Sequence, residues 1–291
     1  MKVHLVDGTY ELFRHFFAVP SRLDQKGQES GALRGVIATI LSILENGATH
    51  VGVATDHVIE SFRNDLYAGY KSGDGIDPDL FCQFHPLEEA LEALGVVVWR
   101  MKEFEADDGL ASAAALAWAD DRIEQILLLT PDKDLAQCVQ GSRVVMVDRR
   151  KNLILDESGV QEKFGVLPGS IPDFLALTGD AADGFPGLKG WGTKSAATVL
   201  ARWLVLESIP NDPRDWEVQV RGAARLAESL LEGRTEAALF KDLATLRTIA
   251  PVGASVDDWK WAGPTDAFAK ICTRLRAENL LERAERIARK L

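Results

Sequence analysis

Four short apolar runs in the first half of the chain each end on acidic residues. Val3–Val6 runs into Asp7. Val51–Ala54 passes through Thr55 to Asp56. Val96–Trp99 leads by a short turn to Glu105, Asp107 and Asp108. Ile126–Leu129 continues through Thr130 and Pro131 into Asp132 and Asp134. Carboxylates brought within a few ångström repel one another, and each is costly to desolvate without a partner. Basic partners at these positions are few, Lys133 being the clearest. Divalent cations held by oxygen alone resolve the conflict. A donor set without His or Cys selects Mg²⁺ or Mn²⁺ over Zn²⁺. Two such ions roughly 4 Å apart clamp the attacking and leaving oxygens of a phosphodiester displacement. The competing reading of any single one of these acids is a turn former or helix N-cap, and Asp107 with Asp108 suits a helix dipole.

Positioning so many acids together requires a particular scaffold. The four runs, with a fifth at Val144–Val147, have strand length and are mostly rich in β-branched residues or leucine. Helical periodicity fills Leu33–Leu44, Leu80–Leu94 and Leu110–Trp118. Strand alternating with helix predicts an α/β fold, a mainly parallel sheet flanked by helices on both faces. The carboxyl ends of its strands then lie along one edge, where ligands bind in such sheets. Asn64–Asp79, with Gly69, Gly73, Gly75 and Pro78, breaks the pattern and reads as a long loop or helical excursion. From about Ser158 the chain reads as helical, with punctuation at Gly179–Gly192 and Pro210–Pro213. It ends in one or two amphipathic helices over Phe268–Leu291. Gly187, Gly190 and Gly192 stand with Lys189 and Lys194 before an Ala-rich helix. Glycines there let backbone amides approach a phosphate, although the spacing is not that of a P-loop.

Composition narrows the classes. No stretch approaches the roughly 20 apolar residues of a membrane helix, and Met1–Gly8 opens no secretory signal, so a cytoplasmic protein away from membranes is expected. Cys82, Cys138 and Cys272 are too few and too scattered for a disulfide framework or a thiolate metal site. A net charge of −11 argues against nucleic acid unless the acids gather on cations that reverse the local field.

The order and spacing of several runs resemble the 5′-nuclease superfamily, most of all the bacterial and phage 5′–3′ exonucleases and the 5′-nuclease domain of DNA polymerase I. The runs are Val6-Asp7-Gly8 with Phe13-Arg14, Ser61-Phe62-Arg63, Gly69-Tyr70-Lys71, Phe104-Glu105-Ala106-Asp107-Asp108, Thr130-Pro131-Asp132-Lys133-Asp134, and Leu177-Thr178-Gly179-Asp180 with Asp183. The match extends from residue 1 to about 205. It implies a PIN-like catalytic core over 1–157 with a helical arch at about 60–85. A helical DNA-binding region over 158–291 would then contain a helix–two-turn–helix element at about 175–205. It implies a two-ion Mg²⁺ or Mn²⁺ centre of Asp7, Asp56, Glu105, Asp107, Asp108, Asp132 and Asp134, completed by Asp180 and Asp183. Asp7, Asp56, Asp107 and Asp132 take the catalytic roles with Lys71, whose cation offsets charge on the phosphate oxygens. Phe13 is implied as a base-stacking residue, with core packing as the competing reading. Arg14 and Arg63 are implied as phosphate contacts, with surface ion pairs competing. Gly187, Lys189, Gly190, Gly192 and Lys194 would grip duplex DNA through the backbone, with K⁺ bound there.

Three departures from the family pattern are expected to matter. Asp74 replaces a common arginine, in a stretch where Lys71 is the only lysine or arginine between Arg63 and Trp99, against Asp65, Asp74, Asp77, Asp79, Glu88, Glu89 and Glu92. Gly184 replaces a common asparagine. The sequence shows no polymerase domain. The expected activity is hydrolysis of DNA at 5′ flaps or 5′ ends by a monomer, with no sliding-clamp peptide at the terminus. The alternatives are a branched-DNA binding protein with little catalysis and a PIN-type ribonuclease. Lys270, Arg274, Arg276, Arg283, Arg286, Arg289 and Lys290 suit either a DNA-binding face or a solvated helix. His57, beside Asp56, reads as a surface loop residue.

Overall fold

The computed structural model of the protein describes residues 1–290. Its strands are β1 (Lys2–Asp7), β2 (His50–Asp56), β3 (Val97–Met101), β4 (Gln125–Leu129), β5 (Val144–Asp148) and β6 (Leu153–Leu155). Its helices are α1 (Gly8–Phe16), α2 (Gly31–Glu45), α3 (Phe62–Leu66), α4 (Pro78–Phe81), α5 (Phe84–Ala93), α6 (Ala106–Trp118), α7 (Glu157–Phe164), α8 (Ile171–Thr178), α9 (Thr193–Trp203), α10 (Ala223–Glu232), α11 (Arg234–Ala244), α12 (Asp266–Arg274) and α13 (Glu278–Ala288). They gather into two compact units. One, the sheet unit, comprises Met1–Ile59, Gly73–Thr130 and the chain from Thr248 onward. The other, the helical unit, comprises Glu60–Ser72 and Pro131–Arg247.

In the sheet unit, β3, β2, β1 and β4 pair side by side and all parallel. Continuous burial of β2 follows from helices covering both faces. Leu33, Val36, Ile37, Ile40, Leu41 and Leu44 repeat at helical spacing on α2 and are all buried. Each such side chain contributes roughly 1.5–3 kcal/mol on burial. Alanines let α6 lie close against all four strands. The C-terminal segment returns to this unit: Trp259 packs edge-on against Trp99 at 5.1 Å, and the Trp261 indole donates to the Leu94 carbonyl at 2.8 Å. Arg283 and Arg286 both pair with Glu45 of α2 and so tie α13 to that helix. Compactness therefore does not divide the chain at residue 157, since residues beyond 248 belong with the sheet.

In the helical unit, β5 and β6 form an antiparallel hairpin whose second strand the apolar pattern does not announce. Buried α8 packs against α9 and α11. Its Asp173, 1% exposed, pairs with Lys241 at 2.8 Å and accepts the Leu206 amide at 2.7 Å. Phe185 stacks on Phe240 at 5.5 Å, and Tyr67 meets the same ring edge-on.

The region expected to arch, about residues 60–85, is two short helices, α3 and α4, with neither helix nor strand over 67–77. Gly69, Gly73 and Gly75 before Pro78 leave no run long enough to sustain a helix. No helix among the described residues is long and apolar enough to cross a membrane. Leu291 of the expected terminal helix lies outside the described residues.

Candidate metal centre

The strand-end acids of the sheet unit share one edge. Asp7 closes β1 and caps α1: its Oδ1 accepts the Tyr10 amide at 2.8 Å, and its Oδ2 accepts the Thr130 hydroxyl at 3.1 Å. Asp7 lies in register with Ala54 of the neighbouring β2, two residues before Asp56. The Oδ1 of Asp56 accepts the amide of Ala106, the first residue of α6, at 2.7 Å, which ties the end of β2 to the start of that helix. The Glu105 amide donates to Asp108 Oδ2 at 3.0 Å, so Asp108, fully buried, serves as a cap. Asp107 is half-buried in the same first turn, and Glu105 is buried. The hydrogen bonds that cap the helices also fix these carboxylates in place.

The helical unit holds a second group. Oxygens of Asp134, Asp180 and Asp183, all buried, lie within 4.8 Å of one another. Asp132 is exposed and caps the short 3₁₀ turn Lys133–Cys138, its Oδ1 accepting the Asp134 amide at 3.1 Å. Two lysines attend this group. Lys133 Nζ lies 2.5 Å from Asp180 Oδ2, and Lys71 Nζ lies 2.9 Å from Asp183 Oδ1. Among the described residues no lysine is ion-paired with Asp134, and its Oδ1 is buried without a hydrogen-bond partner. Burial first, then the charges of Asp132 and Asp183, hold its carboxyl well above the usual carboxylate range. Burial by itself would lower the Lys133 ammonium. The hydrogen bond to Asp180 and the charges of Asp134, Asp180 and Asp132 outweigh it and raise the value.

A buried, unpartnered carboxylate oxygen facing two more acids is costly on its own terms. An oxygen-only donor set fits a hard divalent cation. These residues therefore suit the ions that the sequence implies.

The loop that carries Asp180 and Asp183 is tightly held. Asp180 and Phe185 exchange backbone hydrogen bonds at 2.8 and 3.1 Å, and the Lys71 amide donates to the Asp183 carbonyl at 3.0 Å. Gly184 has φ +87°, and a Cβ there would stand 2.2 Å from the Gly69 carbonyl oxygen. Glycine at this departure from the family pattern is thus what the close backbone approach requires.

Other predicted residues fare differently. Arg63 is 1% exposed; its Nε donates to the Leu243 carbonyl at 2.7 Å and a terminal nitrogen to the Thr245 carbonyl at 3.2 Å. It is neither a phosphate contact nor a surface ion pair, but a buried strut between α3 and the end of α11. Arg14 is ion-paired with buried Glu11 and reaches Thr39 at 3.3 Å, so its guanidinium is engaged within the sheet unit. Phe13 is half-buried and meets Phe84 edge-on at 6.0 Å. Gly187 crosses the Gly179 backbone at φ +69°. Gly190, Gly192, Lys189 and Lys194 are exposed before or at the start of α9.

Sequence reasoning missed Glu88. It is buried, accepts the Thr55 hydroxyl at 2.7 Å, and pairs with His57 at 2.8 Å and Arg100 at 3.4 Å. His57 stacks on His85 at 4.4 Å. Glu88 is therefore not part of an exposed acidic surface, and His57 is not a loose loop residue. The signal was available, because Glu88 falls on the same stripe of α5 as Phe84, Leu87 and Leu91.

The family described as 5′–3′ exonuclease, N-terminal resolvase-like domain, matches residues 2–165. Its companion, 5′–3′ exonuclease, C-terminal SAM fold, matches residues 166–267. The chain is 35% identical over 263 residues to DNA polymerase I of Pseudomonas aeruginosa, covering 87% of this chain and 28% of that protein. It is 29% identical over 258 residues to the 5′–3′ exonuclease of Buchnera aphidicola, covering 87% of this chain and 89% of that one. It thus spans about a third or less of the DNA polymerase I relatives. Among solved structures, T5 5′-exonuclease with bound divalent metal ions (zinc) aligns at TM-score 0.68 and 17% identity, covering 98% of this chain and 100% of that one. The catalytic core of Rad2 with DNA substrate aligns at TM-score 0.65 and 16% identity, covering 98% and 92%. At those identities the likeness is one of fold. With more than half of its residues matched by the N-terminal resolvase-like domain and the following hundred by its C-terminal partner, the chain belongs to the 5′–3′ exonuclease family.

Proposed function

We infer that the protein is a structure-specific 5′ nuclease, a 5′–3′ exonuclease and flap endonuclease that hydrolyses DNA phosphodiesters with two divalent ions. The observation that carries this reading is the Asp134–Asp180–Asp183 group, with its buried, unpartnered oxygen at Asp134. Family membership supports it, as do the bound ions of the T5 enzyme and the bound DNA of Rad2. The strand-end acids Asp7, Asp56, Glu105, Asp107 and Asp108 are the ion-holding acids of the sheet unit, and Asp132, Asp134, Asp180 and Asp183 those of the helical unit. When bound, Mg²⁺ or Mn²⁺ supplies a nucleophilic water at neutral pH and neutralises the leaving oxygen. Lys71 steadies charge on the phosphate. Phe13 stacks near the reacting nucleotide. Gly187, Lys189, Gly190, Gly192 and Lys194 hold the duplex without reading sequence, with K⁺ at the turn. Residues 1–157 form the catalytic core, and 158–291 carry DNA binding and lend Asp180 and Asp183 to the metal site. The protein acts as a monomer in the cytoplasm.

A Mg²⁺-dependent assay on a 5′-flap duplex, beside an RNA flap, tests the reading. Asp132→Ala abolishes cutting and leaves DNA binding within a few-fold. Binding without cutting by the parent protein favours a branched-DNA binding protein, and preference for the RNA flap favours a ribonuclease. Parent-like cutting by Asp132→Ala removes the site assignment.

A further inference from the structure

We propose that Lys133 and Lys71 are resident counter-cations of the Asp134–Asp180–Asp183 group, which a divalent ion must displace in order to bind there. This rests on reading that group as an ion site. Lys133 Nζ and Lys71 Nζ hold one oxygen each of Asp180 and Asp183, the carboxylates that offer oxygens to the group. The lysine side chains are 36% and 33% exposed, whereas those of Asp180 and Asp183 are 5% and 9% exposed. The carboxylates are therefore fixed and the ammonium groups have room to leave. Aspartate oxygens cannot serve an ammonium and a divalent cation together without placing like charges within a few ångström. The flexible four-carbon stem of lysine makes the exchange mechanically easy. Backbone pairing of Lys71 with Asp183 and the tether of Lys133 between Asp132 and Asp134 keep both ammonium groups nearby after release. The event that loads the ion thus frees two cations beside it. By linkage, an anion that draws the lysines away tightens the ion by the same factor.

The test titrates Mn²⁺ into the full chain without DNA and counts free Mn²⁺ by electron paramagnetic resonance. Lys133→Met and Lys71→Met each tighten one Mn²⁺ site by about 3- to 10-fold, somewhat more than a fully exposed ion pair would give. Lys133→Arg, which keeps the cation, stays within about twofold of the parent. Melting curves give an independent readout: both Met variants melt lower in EDTA and gain more from Mn²⁺ than the parent does. These curves also verify folding, and Lys133→Gln replaces Lys133→Met should that variant not fold. Unchanged or weaker Mn²⁺ binding in the lysine variants, with the site still lost in Asp180→Asn, overturns the displacement and leaves the ion site standing. An Mn²⁺ isotherm untouched by Asp180→Asn and Asp183→Asn overturns the ion site, and the displacement with it.

Discussion

The two units hold their acids by different means. In the sheet unit, Asp7, Asp56 and Asp108 accept backbone amides at the starts of α1 and α6, and Asp7 also accepts a threonine hydroxyl. In the helical unit, Asp180 and Asp183 each pair with a lysine, Asp180 also accepts the Ala182 amide at 3.0 Å, and Asp134 keeps one oxygen unpartnered. Acids of the first kind are part of the scaffold, whereas the second group leans on side-chain cations and leaves one buried oxygen, at Asp134, without a partner. A buried charge retained without a fixed partner is a mark of function more than of stability.

The largest expected difference is in catalysis. Asp134→Asn lowers flap cleavage by more than about 100-fold, beyond the effect of changing a residue that merely supports a metal ligand. It leaves stability unchanged or raised, because burial and the neighbouring Asp132 and Asp183 already disfavour the carboxylate, and an amide there is repelled by neither. A loss of stability larger than that of Asp7→Ala would erase the contrast between the units. Next comes stability itself. Asp7→Ala removes a helix cap and a hydroxyl contact and costs about 1–2 kcal/mol in urea denaturation. Asp180→Asn stays within about 0.5 kcal/mol, since relief of repulsion on Asp134 offsets the lost lysine pair.

Acid separates the units further. All five histidines, at positions 4, 15, 50, 57 and 85, lie in the sheet unit. Burial pushes the His4 and His50 imidazoles below their ordinary 6.5. The folded chain therefore binds those protons less tightly than the unfolded one. Their contribution to stability is full above about 6.5 and drains as pH falls through the lower folded values. Between pH 7 and 5, amide protection, taken relative to the intrinsic exchange rate at each pH, should fall more in β1 and β2 than in α8 and α11. An equal fall would show that the histidines do not set the difference. The smallest effect concerns DNA. Lys194→Ala weakens duplex affinity a few-fold and lowers the salt slope by about one. An unchanged slope would remove Lys194 from the duplex contact.

Much of this was legible in the chain. The four strands that end on acids fall within a residue or two of their apolar runs, because each is a short run closed by turn residues and flanked by helical periodicity. Their adjacency follows from the handedness and layering of parallel sheets. The grouping of Asp134 with Asp180 and Asp183 was legible only as a family motif, since no periodicity relates positions so far apart. Arg63 was misjudged because its carbonyl partner at Leu243 is 180 residues away. Glu88 was counted with exposed acids although its place on the apolar stripe of α5 marked it as buried. Lys133 was noticed as a lone base, but its choice of Asp180 is a tertiary contact that local spacing does not encode.

The strut made by Arg63 has a consequence for how the chain can vary. Its guanidinium binds carbonyl oxygens at 243 and 245, which every amino acid supplies. Leucine and threonine can give way to other residues there without loss of the bond, whereas the arginine itself cannot be exchanged. In related chains, the lysine-bearing segment just after α3 should stay anchored while the side chains around its anchorage drift.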